Sequence, residues 1–330
     1  MDIKISEYDP YYASPLEHEI TLCYIDILST CNLACPTCPV GNMNKSTSTI
    51  MQLEQFKKII NKLKEYPHLE EIGLYNWTEP LLHPRLPEFI EVVREAGFSC
   101  TLSANLNYIR NIEEVVKKEP NLLRISLSGF EQKTYEKGHK KGNIETVKKN
   151  MKILSELLKK HNSSTVVTVL YLKYKHNISD LPVMREYATS LGFNFEEYWA
   201  YLMPVEKNIE YLETPEKIDD ETNEIIQSLV FEPRSHLKAI EPYKKNRCLL
   251  LENQLVLNAA GEIQLCCASY DPHIPNKNYL ELTPKQIQDL RYGNDLCKKC
   301  MKYGIHTVYS TVIGDSDLSY HSDRVTNILG

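Results

Sequence analysis

Ile20-Thr21-Leu22-Cys23-Tyr24-Ile25-Asp26-Ile27-Leu28-Ser29 is rich in strand formers, and Cys31-Asn32-Leu33-Ala34-Cys35-Pro36-Thr37-Cys38 follows at once. The reading is a strand that opens into a loop bearing three thiols within eight residues. Beyond it, Leu53–Leu63 carries apolar residues at helical spacing, and short apolar runs then alternate with longer amphipathic ones. The expected strands are Glu71–Tyr75, Phe98–Ser103, Leu122–Leu127, Val166–Leu172 and Phe195–Ala200. The expected helices are Pro87–Ala96, Ile112–Lys118, Ile144–His161 and Asp180–Leu191, with Gly97 and Gly192 where helix C-caps fall. Such alternation predicts an α/β fold with a parallel sheet flanked by helices. Six strand–helix units fit in about 200 residues, fewer than the eight of a closed barrel. The expectation is a partial (β/α)6 TIM-like barrel, with an open sheet as the alternative.

The full chain has 330 residues, 42% of them hydrophobic and 25% charged, which is ordinary for a globular protein and excludes a disordered one. Thirty-eight basic against 44 acidic side chains give a net charge of −6, which does not support a nucleic-acid groove. No apolar run is long enough for a membrane span, and the N-terminus Met1-Asp2-Ile3-Lys4 lacks the apolar core of a signal peptide. The expectation is a cytoplasmic protein. In a reducing compartment clustered cysteines read as metal ligands rather than disulfides. Of ten cysteines, Cys31, Cys35 and Cys38 form one group. Cys248, Cys266, Cys267, Cys297 and Cys300 form another, while Cys23 and Cys100 stand alone in expected strands as core residues.

Thiolates suit zinc and iron–sulfur clusters, and a closed site wants four protein ligands. Three clustered cysteines without an obvious fourth suggest a metal with one open position. Spacing alone also admits a structural zinc completed by a distant residue.

A CxxxCxxC loop after the first strand of a βα-repeat protein, opening on Cys-Asn-Leu, resembles the radical S-adenosylmethionine (SAM) superfamily over roughly residues 19–200. The resemblance implies a [4Fe–4S] cluster on Cys31, Cys35 and Cys38. SAM then chelates the fourth iron and is cleaved by an electron to methionine and a 5′-deoxyadenosyl radical, which abstracts a substrate hydrogen atom. It also implies an electron donor such as flavodoxin or ferredoxin. Thr37 stands where the family often has an aromatic residue beside adenine.

Tyr75-Asn76-Trp77-Thr78-Glu79-Pro80 resembles the family's Gly-Gly-Glu-Pro segment, which binds the SAM amino group; Trp77 and Thr78 replace the glycines. Thr78 and Glu79 are thus expected at SAM, although Glu-Pro also reads as a turn. Ser103, Asn105, Ser126 and Ser128 lie at strand C-termini, where such sheets place active sites. They are candidates for ribose or carboxylate contacts, or equally for helix caps. Lys140, with Lys141, sits where relatives place a basic residue facing the SAM carboxylate, and also reads as a solvated surface pair. His83 reads as structural.

Residues 204–247 carry four prolines and many charges and read as a connector with one helix, Asp220–Leu229. From Cys248 the pattern becomes a β-hairpin turning at Gly261, then a helix over Thr283–Leu290, then Cys297-x2-Cys300 as a turn. Cys248, Cys266, Cys297 and Cys300 suffice for a closed zinc site or a cubane. The segment resembles the auxiliary-cluster module called SPASM in its shortened twitch form, which implies a second, fully ligated [4Fe–4S] cluster. The domain expectation is 1–203 partial barrel, 204–247 connector, 248–310 auxiliary-cluster domain and 311–330 polar tail. Cys267 is left over beside a ligand. It reads as a small buried hydrophobe or, facing the active site, as a hydrogen-atom donor in an epimerase; on sequence its role and that of Cys266 are interchangeable. Twitch relatives oxidise or epimerise sugars and aminocyclitols, and fuller forms modify peptides. About 18 residues precede the first strand, which leaves no evident peptide-docking domain. The expected substrate is a small polar molecule, with a peptide as the alternative and a non-catalytic iron–sulfur or zinc protein as the competing class.

Overall fold

The computed structural model describes residues 20–42, 48–244, 247–270 and 273–310. The tail from Thr311 lies outside the described residues.

Seven strands form one sheet: β1 (Leu22–Ile25), β2 (Glu71–Gly73), β3 (Ser99–Ala104), β4 (Leu122–Leu127), β5 (Val166–Lys173), β6 (Asn194–Trp199) and β7 (Gln254–Leu257). Their spatial order is β6-β5-β4-β3-β2-β1-β7 and every pairing is parallel. Consecutive strands are neighbours from β1 to β6, as a winding βα repeat requires. The barrel stays open, with β6 and β7 at its two ends. The expected partial (β/α)6 barrel is therefore present with a seventh strand added.

The alternation of side chains along β4 shows how the sheet is faced. Leu123, Ile125 and Leu127 are fully buried and share a core with Val147, Met151 and Leu154 of the helix Ile144–Lys160. Leu122, Arg124 and Ser126 are half-buried on the other side. The helix Leu53–Leu63 buries Leu53, Phe56, Ile59, Ile60 and Leu63, a stripe at helical spacing, and Phe56 meets Phe89 of the next helix at a ring separation of 4.5 Å. Each such side chain contributes about 1.5–3 kcal/mol by leaving water. Gly97 and Gly192 take left-handed φ values of +90° and +82° just past their helices, as C-terminal glycines should. Cys23 and Cys100 are fully buried. His83 is also buried, its ring 4.5 Å from Phe89 and its Nδ1 accepting from Arg85 N, consistent with a structural role.

The C-terminal third departs from expectation. The described part of residues 204–247 holds three α-helices, Val205–Glu213, Asp220–Ser228 and Pro233–Ile240, and two short 3-10 turns, where one helix was expected. The prolines that suggested a connector sit at or beside helix starts, where a missing N–H costs nothing. The expected hairpin shrinks to a single antiparallel bridge, Leu257 to Ile263, around Gly261 at φ +79°. Its first arm is β7, which pairs with β1 in the main sheet. Cys297 and Cys300 lie on a helix, Asp295–Tyr303, not on a turn. Lys62 fastens this region to the barrel by donating to the carbonyls of Tyr279, Leu280 and Leu282 at 2.9, 3.1 and 2.5 Å. Among the described residues, no helix is long and apolar enough to cross a membrane.

Candidate functional site

The three-cysteine loop leaves the C-terminal end of β1 and is tied down by backbone bonds. Cys38 N donates to Cys35 O at 3.1 Å and Gly41 N to Cys38 O at 2.9 Å. Ala34 N donates to Lys140 O at 3.0 Å, which pins the loop to the segment after β4. A Cβ on Gly41 would lie 2.4 Å from Cys35 O and 2.6 Å from the Ala34 carbonyl carbon, so the chain folds over itself more closely than any side chain permits. Burial pushes the Cys31 and Cys38 thiols up to about 12 and about 11, and burial together with its two neighbours lifts Cys35 well above the ordinary range. Three half-buried thiols this close together resist ionisation, and a bound cation would favour their thiolate forms.

The wall opposite is the 76–79 segment. Asp26, buried on β1's extension, accepts from Asn76 N (2.9 Å), Trp77 N (3.2 Å) and Thr78 Oγ1 (2.6 Å). Glu79 is 2% exposed; its Oε1 accepts from Leu81 N at 3.0 Å and its Oε2 from Asn105 N at 2.7 Å. Burial raises Asp26 to about 6 and Glu79 to about 7. Asn105 in turn points its side-chain amide at Cys31 Sγ, 3.8 Å away, and at Asn32 Oδ1, 2.9 Å away.

These groups open on one cavity of about 390 Å³. Cys31, Cys35, Cys38, Thr78, Glu79, Ser103, Asn105 and Ser126 all line it, and so does Cys267. Two expected residues are not brought there. Ser128 is fully buried, its Oγ 2.5 Å from His139 Nδ1. The Lys140 side chain is 60% exposed and faces Glu221 Oε1 at 3.7 Å; only its backbone carbonyl serves the site. Thr37 bonds Tyr174 OH at 2.9 Å. Sequence reasoning missed Arg124, His139 and the aromatic lining outside the 75–80 segment (Tyr24, Tyr198, Trp199, Tyr201, Tyr309). The available signal was Arg124 in the middle of β4, since a strand buried on both faces reads as unbroken apolar residues.

A second, apolar space beside Cys267 is lined by Cys248, Cys266, Cys297 and Cys300 with Leu250, Leu265, Met301 and Tyr309. Cys297 and Cys300 share one helix face at i, i+3. Residues 266–269 form a turn, not a strand, yet Cys266 opens on this space and Cys267 on the large cavity. Burial and mutual repulsion lift the Cys297 and Cys300 thiols well above the ordinary range. Arg291, 2% exposed, donates to Leu265 O and Leu250 O at 3.1 Å each and holds a positive charge near Cys248, Cys267 and Cys297. Among the described residues, no three His, Cys, Asp or Glu side chains surround a single metal-ion position.

Residues 25–188 match the family model of the Radical SAM superfamily. This part of the chain belongs to the radical SAM superfamily. The family implies a [4Fe–4S] cluster and SAM. A relative from Pyrococcus furiosus, the tungsten-containing aldehyde ferredoxin oxidoreductase cofactor-modifying protein, is 26% identical over 60% of this chain and 53% of its own. The matched stretch thus spans about half that relative's length. Streptococcus suis SuiB bound to its precursor peptide SuiA shares the fold at a TM-score of 0.59 and 14% identity, over 84% of this chain and 66% of SuiB. BtrN in complex with AdoMet and 2-DOIA shares it at a TM-score of 0.50 and 16% identity, over 88% and 89% of the two chains.

Proposed function

We propose that this protein is a radical SAM enzyme that removes a hydrogen atom from a small polar substrate, of the sugar or aminocyclitol class, and returns one from Cys267 to give an epimer, the thiyl radical left on Cys267 being returned to the thiol by one proton and one electron from a reductant such as flavodoxin or ferredoxin. The observation that carries the reading is that the Cys267 side chain lines the same cavity as Cys31, Cys35 and Cys38. When bound, the cluster supplies the electron that breaks a carbon–sulfur bond of SAM and yields the 5′-deoxyadenosyl radical. The protein does the rest. Cys31, Cys35 and Cys38 hold the cluster, and the Asn105 amide stabilises the Cys31 thiolate by donating to it. Asp26 and Glu79 fix the 76–79 segment as a wall. Thr78, Ser103 and Ser126 offer hydroxyls to the ribose and amino-acid ends of SAM. Apolar and aromatic side chains keep water away. Burial holds Cys267 as a thiol, the form that carries a transferable hydrogen.

Cys248, Cys266, Cys297 and Cys300 hold an auxiliary [4Fe–4S] cluster in this reading. A zinc ion would need four sulfurs at about 2.3 Å from one point, whereas in a cubane each thiolate takes its own iron. The four thiols line one apolar space in which such a cluster would sit.

Anaerobic reconstitution tests the reading. About eight irons per chain are expected, as two cubanes, with 5′-deoxyadenosine released on adding dithionite and SAM. The epimer formed in deuterated water is expected to carry solvent deuterium. Cys267→Ala is expected to cleave SAM and form no epimer. Epimer made by that variant removes Cys267 as donor; an iron-free, colourless protein removes the enzyme reading altogether.

A further inference from the structure

Arg124 stands on the hollow face of the open barrel, two residues before Ser126 on β4 and therefore roughly 6–7 Å deeper than the strand end where the SAM-facing groups gather. It lines the cavity with Tyr24, Tyr75 and Tyr198. Its Nη1 donates to Tyr75 OH at 2.9 Å; among the described residues the Glu71 carboxylate acts on it electrostatically without a direct ion pair. The rings of Tyr24 and Tyr75 lie 5.2 Å apart. The surrounding wall is aliphatic and aromatic, including Leu170 and Leu172. Tyr75, Tyr24 and the more distant Glu71 carboxylate offset the guanidinium's desolvation, yet among the described residues no carboxylate is paired with it directly, so its remaining N–H donors are open to an anion in the cavity. Its planar fork matches two oxygens of a carboxylate or phosphate.

We infer that Arg124, with the Tyr24 and Tyr75 hydroxyls, is an anion-binding subsite that anchors a carboxylate or phosphate group of the substrate at the floor of the cavity. The inference rests on the reading of this cavity as the substrate chamber and narrows the substrate to an anionic one, such as a sugar acid or sugar phosphate. The placement sets the anchored end deep, so that the substrate projects toward the three-cysteine loop and Cys267.

Both tryptophans of the chain, Trp77 and Trp199, line the cavity, so their fluorescence reports its occupancy. The reconstituted protein with SAM would be titrated anaerobically with glucuronate, glucose 6-phosphate and neutral glucose. Binding of one anion about tenfold or more tighter than glucose is expected, and which anion wins separates carboxylate from phosphate. In Arg124→Gln that preference is expected to vanish, with glucose binding and substrate-free deoxyadenosine release within about twofold of wild type. Should Arg124→Gln fail to fold, Arg124→Lys keeps the charge and loses the fork, and a clear weakening toward the anion alone is expected. Equal affinity of the wild type for anions and glucose overturns the subsite. A variant that loses SAM cleavage along with anion binding overturns it too, by assigning Arg124 to SAM. A wild type that binds anions through Arg124 but releases no deoxyadenosine leaves the subsite standing and sinks the radical reading.

Discussion

Acid should loosen the cavity through His139. Its imidazole is 3% exposed, lies flat on Tyr135 at a ring separation of 4.9 Å, and bonds Ser128 at Nδ1 (2.5 Å) and Ser126 at Nε2 (3.3 Å). Burial drives its pKa down from 6.5 to about 4. A depressed histidine contributes stability that is fully present above 6.5 and lost as pH falls toward 4, because the unfolded chain takes up the proton first. At about 1.4 kcal/mol per pKa unit the full loss is about 3 kcal/mol, of which about 2 kcal/mol has gone by pH 5. That is a large part of the roughly 5–15 kcal/mol that holds a domain together. The cost reaches the cysteines directly, since the next residue's carbonyl, Lys140 O, accepts from Ala34 N in their loop. Urea unfolding of wild type and His139→Gln at pH 7.5 and pH 5.0 isolates the contribution, because every other titrating group is common to both. Wild type should lose about 2 kcal/mol more than the variant over that interval. Equal losses would refute the argument.

Three further outcomes are expected. Gly41→Ala forces a Cβ to within 2.4 Å of Cys35 O, so the loop must open, and the iron content of the reconstituted protein should fall by about half; full iron with normal deoxyadenosine release would contradict this. Arg291→Met leaves two buried carbonyls unpaired, at roughly 1–3 kcal/mol each, and removes a cation beside the second cysteine group. The auxiliary cluster's reduction potential should therefore drop in an EPR-monitored titration, and an unchanged potential would show that the charge is screened. Lys62→Met strips the donor from three carbonyls at residues 279–282, so amide exchange there should quicken while the β3 and β4 amides stay protected.

What the sequence disclosed, and what it hid, follows from the range of the interactions. The strands and helices of the barrel were legible because their apolar periods are local: the expected β4, Leu122–Leu127, matches residue for residue. The CxxxCxxC loop was legible because its three cysteines are neighbours in the chain. The helix carrying Cys297 and Cys300 was missed because its apolar stripe, Leu296, Cys297, Cys300 and Met301, shows only when cysteine is counted as a hydrophobe. The pairing of β7 with β1 joins segments more than 200 residues apart, which no local pattern encodes. Lys140 misled for a related reason. Its position in the chain was near the site, but its side chain points away and only its carbonyl takes part.

The placement of β7 has a consequence for anyone who would shorten this chain. Because Leu22–Ile25 is flanked by β2 on one side and β7 on the other, the strand that roots the cysteine loop is an interior one. Cutting before Gln254 would turn it into a raw sheet margin with unsatisfied amides, open to fraying and to sticking against other molecules. The precision of the first three thiols is thus inherited from a segment that follows them by more than two hundred positions.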